Sequence, residues 1–427
     1  MSLLVSVKRV VKRLAGKSER ANEIIETASR VLHDAIFAVN AARVNLITAV
    51  PEATEKVDAA LPIGFNISGY AYGVYGLSHS LRGTARGIEA IPLPYVINNI
   101  DPREVPPAEF VSDRLSLENP YRFNLLHFNP DSLKYLVSNV GRSYFAGRYN
   151  IGFWFWETPT LPKQWVDFKG AFHEIWTASE FVRQAVEKST HLPTINVGQV
   201  IEVDESELDL DRACFNLPKD EIVFLSYFDY QALIARKNPV GMIDAFKKAF
   251  PNENNVRLII KTMHGELPTC AEDRAVVEAA AADDPRIQLI STVLTRREMM
   301  SLVKCSDCVV SLHRSEGFGL SMAEAMALGK PVIATSYSGN MDFMTEQNSF
   351  LVRYSPLTTT RAYGQFPKGT VWADPDTDHA AELMRFVSQN PTAASAAGKR
   401  AAQDISDLYS AERVGKRIMD RIKVICA

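Results

Sequence analysis

Disulfides are the first thing this chain lacks. Its five cysteines, odd in number and scattered, give no framework of bridges and fit a reducing compartment. Cys305 and Cys308 have CxxC spacing, but no second pair completes a zinc site, and the segment runs into an apolar strand, so packing is their expected role. No apolar run reaches transmembrane length. Nor does an apolar stretch follow the N-terminal basic residues as a signal peptide requires, which makes the cytoplasm the expected compartment. A net charge of −3 gives no footprint for nucleic acid over the whole chain. Internal repeats and low-complexity tracts are missing too. With 427 residues, 46% hydrophobic and 23% charged, what remains is a globular protein long enough for two domains with full cores.

What is there centres on residues 309–343, VVSLHRSEGFGLSMAEAMALGKPVIATSYSGNMDF. Residues 308–312 are an apolar run of strand length, and 313–319 a turn with two glycines. Residues 320–328 have apolar side chains at helical spacing, Gly329 stops that helix, and 331–334 form a second buried strand. A strand–loop–helix–strand unit of this kind comes from a parallel α/β sheet, with a glycine loop where such sheets bind ligands. Glu316 and Glu324 stand eight residues apart. With a helix starting near Ser315 they would lie about two turns apart on roughly one face. Gly317 and Gly319 let backbone N–H groups approach a ligand, and a helix N-terminus favours phosphate. The expectation is a phosphorylated ligand on the amides, with a carboxylate at each end taking hydroxyls.

The other segments fit the same architecture. A strand over 61–70, glycines 73, 76 and 83 and a helical stretch over 77–90 make a first βα unit. Strands follow over 92–97 and 122–128, the second ending at His127, where a site residue of an open sheet would sit. The next segments are the aromatic strand 149–158 and an acidic connector after residue 195. Strands over 221–227, 256–261 and 286–291 alternate with helical patterns over 240–250 and 296–304. Helical patterns at 379–388 and 411–424 complete the chain. Residues 1–20 form a basic amphipathic pattern, Leu4, Val7, Val11 and Leu14 opposing most of the cations. Such a helix could rest on an anionic membrane or pack on its own domain.

The run SLHRSEGFGLSMAEAMALGKPVIAT resembles the signature of the retaining glycosyltransferases of family 4, whose E-x7-E pattern matches Glu316 and Glu324. That resemblance implies the GT-B fold, two Rossmann-like, doubly wound domains facing across a cleft. Here they would cover residues 1–205, with 1–50 as a helical extension, and 206–408, with helix 409–427 crossing back to the first domain. It implies sugar transfer from a nucleotide diphosphate sugar, GDP-mannose preferred, to a hydroxyl of a growing glycan or glycolipid with retained anomeric configuration. Residues 149–179 resemble the subset of the family that builds bacterial surface polysaccharides, at the inner face of the membrane.

By the same resemblance Glu316 would bind hydroxyls of the donor sugar, Glu324 the ribose, and His127 the donor sugar from the other domain. Arg236, Lys237, Lys261 and the amides of Gly317, Phe318, Gly319 and Leu320 would hold the diphosphate, with no metal or other cofactor. Asp209 and Asp211 mimic a D-x-D metal motif but follow Glu205 and Glu207 in a polar linker, where a solvated charge run is expected. Gly76 and Arg82 match the family's GLGExxR loop, while Ser78 and His79 replace its second glycine and its acid, leaving the loop's role open. Gln231 and Ala232 stand where another arginine is usual, so part of the cationic charge must come from elsewhere, with Lys261 a candidate. Glu157, beside Trp154 and Trp156, is the acceptor-side candidate. Two rivals stay open: a catalytically weak nucleotide-sugar-binding subunit of a polysaccharide assembly, and a sugar-nucleotide epimerase of the same fold.

Overall fold

The computed structural model describes residues 50–53, 56–73, 76–100 and 113–427; the amphipathic segment 1–20 and the helical pattern up to residue 49 lie outside them. Contacts divide the described residues into two compact units, one drawn from 50–78, 95–152 and 170–173, the other from 79–94, 153–169 and 174–427.

In the first unit β1 (Phe65–Gly69) is flanked in parallel by β2 (Tyr95–Asn99) and β3 (Phe123–His127), and β4 (Tyr149–Trp154) lies beyond β3. Between β1 and β2 the helix α1 (Gly76–Glu89) runs on into the second unit, and α2 (Leu133–Val140) follows β3. The strands are shorter than the apolar runs because those runs mark burial, whereas the hydrogen-bonded ladder stops where the chain turns. Side chains of β1 and β3 are buried along their whole length. Apolar packing alone would not fix which residues face each other. Register is set by three buried asparagines aligned across the strands, Asn66 opposite Asn124 opposite Asn150. Asn66 Nδ2 donates to Asn124 Oδ1 at 3.0 Å, and Asn124 Nδ2 donates to Asn150 Oδ1 at 2.9 Å. Their remaining amide groups are taken by backbone carbonyls of Tyr121, Tyr144 and Phe145, so no member of the row costs an unpaired buried amide.

The second unit contains β5 (Glu174–Thr177), α3 (Glu180–Thr190), β6 (Thr194–Asn196) and then a complete α/β run. That run is β7 (Ile222–Asp229), α4 (Ile234–Lys237), α5 (Pro239–Ala249), β8 (Val256–Met263), α6 (Ala271–Ala281), β9 (Ile287–Ile290), α7 (Arg296–Cys305) and β10 (Cys308–Ser311). It continues with α8 (Leu320–Ala327), β11 (Val332–Thr335), β12 (Phe350–Val352), a hairpin of β13 (Tyr354–Thr358) and β14 (Val371–Pro375), and helices α9 (Thr377–Gln389), α10 (Pro391–Tyr409) and α11 (Ala411–Cys426). Phe224, Leu258 and Val310 of the strands meet Met242, Phe246 and Met384 of the helices in a continuous apolar core. Along the chain the strands form two parallel six-stranded sheets, ordered β2-β1-β3-β4-β5-β6 and β12-β11-β10-β7-β8-β9. Each order reverses once, between β1 and β3 and between β7 and β10, and ligands of doubly wound sheets bind outside the carboxyl ends at such points.

Helix α10 and the β13–β14 hairpin have no counterpart in the sequence reading. Gly398 of α10 sits so close to the turn after α8 that a Cβ there would lie 2.1 Å from the Gly329 carbonyl oxygen. At the end of α11, Arg421 forms a fork on the fully buried Glu174, which also accepts the Trp176 indole N–H. No described helix is long and apolar enough to cross a membrane. Gly398→Ala is expected to destabilise the protein by about 1–3 kcal/mol, because backbone cannot move aside as a side-chain end can. Urea unfolding should show the loss as a lower midpoint, and an unchanged midpoint would refute this packing.

Candidate functional site

At the first reversal point Gly69 of β1 pairs with His127 at the end of β3. His127 is fully buried, and burial pulls its pKa down to about 3, so the ring is neutral near pH 7. Gly76 opens α1, and Arg82 lies on the next turn but one.

At the second reversal point the turn after β7 and the loop after β10 are welded together. The Arg314 N–H donates to the Arg236 carbonyl at 2.7 Å, and Asn238, in the left-handed conformation that asparagine tolerates, donates its side-chain amide to the Leu312 carbonyl at 3.0 Å. This brings four predicted residues into one cluster. Lys237 Nζ lies 2.5 Å and Arg236 Nη1 3.2 Å from Glu316 Oε1, and Glu157 Oε1 lies 3.6 Å from Arg236 Nη2. Arg236 is buried and also donates to the carbonyls of Ser315 and Ala232, so its fork is largely committed to holding the loop. The Lys237 side chain, 20% exposed, is the more accessible charge. Burial pushes the Glu316 carboxyl up, but Lys237, Arg236 and His313 outweigh it and bring its pKa down to about 2. Glu316 is therefore a buried carboxylate, fully ionised at neutral pH.

The loop that carries Glu316 is held on both sides. Its N–H donates to Ser338 Oγ at 2.8 Å, and its carbonyl accepts the Gly339 N–H at 3.0 Å. Ser179 donates to the Gly317 carbonyl at 2.5 Å, and Ser315 donates to the Glu157 carbonyl. A Cβ on Gly317 would lie 2.9 Å from the Trp156 carbonyl, and one on Gly339 would lie 2.1 Å from the Gly317 carbonyl. Both glycines are needed here for the close approach of one loop to another, whatever their amides do for a ligand. The Phe318 ring packs on Phe343 and Tyr409, which leaves its backbone as the part available to a donor.

Helix α8 begins only at Leu320, with Gly319 as its N-cap residue, so Glu316 lies outside the helix. The one-face relation of the two acids expected from an earlier helix start therefore does not hold, because the two glycines keep residues 316–319 in a loop. Glu324 is buried on α8 and has its own partners: Arg296 Nη1 at 2.5 Å from Oε1, and Tyr227 OH at 3.5 Å from Oε2. Tyr227 pairs with Lys261 across β7 and β8, which puts both side chains on one face of the sheet. Burial lowers the pKa of Lys261, and its ammonium donates to the Thr262 carbonyl at 2.6 Å.

Several residues that position the site carried no role in the sequence reading. His313, buried and with its pKa lowered mainly by burial, contacts the Tyr337 carbonyl and Asn340 Oδ1 through Nε2, at 3.2 and 3.1 Å. Ser338 holds a positive φ of 78°, rare for a residue with a side chain, in the turn that clamps Glu316. The signal available for His313 was the one used for His127, a histidine at the carboxyl end of a strand. The D-x-D resolves as structure: Asp209 pairs with Arg297, and Asp211 caps the turn Arg212–Phe215.

Residues 209–404, which carry this whole cluster except Glu157, match the family model described as Glycosyl transferases group 1. The chain carries a group 1 glycosyltransferase domain. Trehalose synthase of Pyrococcus horikoshii is 24% identical over 361 residues, 72% of this chain and 81% of its own. A glycosyltransferase from Rickettsia africae has a TM-score of 0.61 at 12% identity, covering 85% of this chain and 99% of that one. Anabaena HepE, in complex with UDP and glucose, has a TM-score of 0.61 at 13% identity over 85% of this chain and 100% of its own. The shared fold is GT-B, and the glycosyltransferase has the two parallel sheets that it requires.

The low pKa of Glu316 makes its ionisation part of the enzyme's stability. That contribution is complete above the ordinary carboxylate pKa and is lost as pH falls from about 4.5 toward about 2. Glu316→Gln leaves the buried Arg236 and the half-buried Lys237 without this partner and should be less stable than the parent by on the order of 3 kcal/mol at pH 7. The gap should narrow below pH 4.5, since only the parent takes up a proton there. Denaturation series at pH 7 and 3.5 check this, and a constant gap would contradict it.

Proposed function

We propose that this glycosyltransferase moves a hexosyl unit, with retention, from a nucleoside diphosphate sugar to a hydroxyl of a growing glycan or lipid-linked glycan in bacterial surface polysaccharide synthesis. The observation that carries the reading is the buried, ionised Glu316 at the reversal point of the second sheet, held between Lys237 and Arg236. A carboxylate with free lone pairs accepts sugar hydroxyls, and Lys237 can exchange its contact with Glu316 for one with an incoming diphosphate. As the bond from sugar to phosphate breaks, charge grows on the leaving diphosphate. Lys237, Lys261 and the amides of Gly317 to Leu320 would stabilise that charge more than they stabilise the intact donor, which lowers the barrier. With the charge met by protein cations, no metal is required. Front-face attack, with the leaving phosphate taking the acceptor proton, gives retention without a dedicated nucleophile.

Glu324 is assigned the ribose. Family resemblance assigns the donor sugar also to His127, and the N-terminal loop role to Gly76 and Arg82. Glu157, ion-paired with Arg236 beside the Glu316 loop, is the acceptor-side group. The resemblance favours GDP-mannose, and the UDP and glucose bound by HepE add UDP-glucose to the donors to test. Residues 1–20 are proposed to bring the enzyme to an anionic membrane.

Purified protein should hydrolyse one nucleotide sugar of a GDP-, UDP- and ADP-linked panel slowly, and the same sugar should raise its melting temperature. Glu316→Ala should cut that hydrolysis by about 100-fold or more. A nucleotide-sugar-binding subunit without turnover would show the melting shift but no hydrolysis in either protein, and absence of both effects across the panel would sink the proposal.

A further inference from the structure

The β13–β14 hairpin is tied to the Glu316 loop and carries charge that no described residue pairs. Its strands run from Tyr354 opposite Pro375 to Thr358 opposite Val371, and residues 359–370 form the loop between them. That loop is fixed at both ends. At its base the Thr359 N–H donates to the Thr370 carbonyl and the Gly369 N–H to the Thr359 carbonyl, each at 2.9 Å. Toward its tip Tyr363 and Phe366 exchange backbone hydrogen bonds of 2.8 and 2.9 Å. The buried Phe366 ring packs 5.1 Å from that of Trp156, the residue before Glu157. Strand β14 is joined to the residue two before Glu316, because the Ala373 N–H donates to the Arg314 carbonyl at 2.9 Å. A ligand that binds a loop held in this way spends little on ordering it.

Between residues 354 and 373 the chain has two cations, Arg361 and Lys368, and no acid. They stand on facing arms of the loop, between its base and the Tyr363–Phe366 pair, and both are exposed. Neither forms an ion pair among the described residues, and Glu272 of α6 acts on Arg361 without a salt bridge. Like charges on facing arms repel one another, a cost that an anion between them removes. The Arg361 guanidinium also lies 4.8 Å from the Tyr363 ring centroid, and Tyr363 packs in turn on Trp372. An aromatic backing restricts the planar fork to few orientations and leaves its N–H groups to a planar, bidentate acceptor, which a carboxylate is. We propose that this loop binds the acceptor and that the acceptor is an acidic glycan. A hexuronic acid residue sets its carboxylate on Arg361, Lys368 supplies the second cation, and the growing end of the glycan lies toward Glu157. The inference rests on the reading of the enzyme as a transferase to a glycan, and it names the class of that glycan.

The test is calorimetric titration of short oligosaccharides of galacturonate, of mannuronate, and of glucuronate alternating with a neutral sugar, each beside its uncharged methyl ester. They are titrated into the parent protein, Arg361→Glu and the double variant Arg361→Ala/Lys368→Ala. At least one acid series should bind the parent about tenfold or more tighter than its ester, and added salt should weaken it. The double variant should lose that preference, and Arg361→Glu should bind the acid no better than the ester. Both side chains are exposed, so the variants should melt at the parent's temperature; should one not, Arg361→Gln is judged by the same criteria. The proposal is overturned if no acid series binds, if acids and esters bind alike, or if the double variant keeps the parent's preference. It is overturned too if the double variant loses affinity for phosphatidylglycerol vesicles and not for the saccharides, which would make the loop a membrane contact. Saccharide binding requires no donor. A protein that gains melting temperature with a nucleotide sugar but ignores every acid saccharide therefore sinks this inference alone. One that binds the acids and responds to no nucleotide sugar counts against the transferase reading and not against the loop.

Discussion

The buried contact of Glu316 with Lys237 and Arg236 is the constraint on which the second sheet's binding edge depends. Two loops leave the sheet in opposite directions at the reversal point, and nothing in the strand ladder obliges them to stay together. An ion cluster does so only if its desolvation is repaid by good geometry and by further hydrogen bonds. Both conditions are met: the guanidinium of Arg236 also bonds two carbonyls, and the Glu316 backbone is bonded at its N–H and its carbonyl by the turn at Ser338 and Gly339. The charge set is therefore also a joint, and the residues proposed for chemistry are those that shape the loop.

The division between what the sequence disclosed and what it hid follows from range. The strand–loop–helix–strand unit around residues 308–334 is local: strand, glycines, helix and stop signal all lie within reach of one another, and each was placed within a few residues. The positions of Glu316 in the loop after β10 and of Arg236 and Lys237 in the turn after β7 were legible for the same reason. The helix at 320–328 agrees with α8, and only the conditional start near Ser315 fails, because glycines mark both a helix entrance and a loop and the contacts with Trp156 and Gly339 decide between them. Partnerships across distance were invisible. Nothing near Asn66 announces Asn124 or Asn150, and nothing near Glu174 announces Arg421. Helix α10 escaped because its buried face is made largely of Ala and Gly, which give little apolar contrast. The hairpin escaped because β13 is exposed almost throughout and neither strand shows a clear alternation.

The altered N-terminal loop takes on meaning beside this geometry. His79 and Arg296 line the same cavity as Glu324, and burial followed by the charges of Arg296, Arg82 and Arg86 pulls the pKa of His79 down to about 3. A neutral ring there adds no charge to the cations already present, whereas an acid would compete with Glu324 for Arg296. The departure from the family's pattern is thus compatible with a working nucleotide site.

In the resting protein each acid of the two clusters already faces a base, Glu316 and Glu157 against Lys237 and Arg236, Glu324 against Arg296. Such neutral sets project little field beyond a Debye length, so a doubly charged nucleotide approaching from bulk water is not drawn in from afar. Encounter is then governed by diffusion and orientation, with weak dependence on ionic strength. Selectivity among the many anions around the enzyme is deferred to the moment of close contact, when partners change hands.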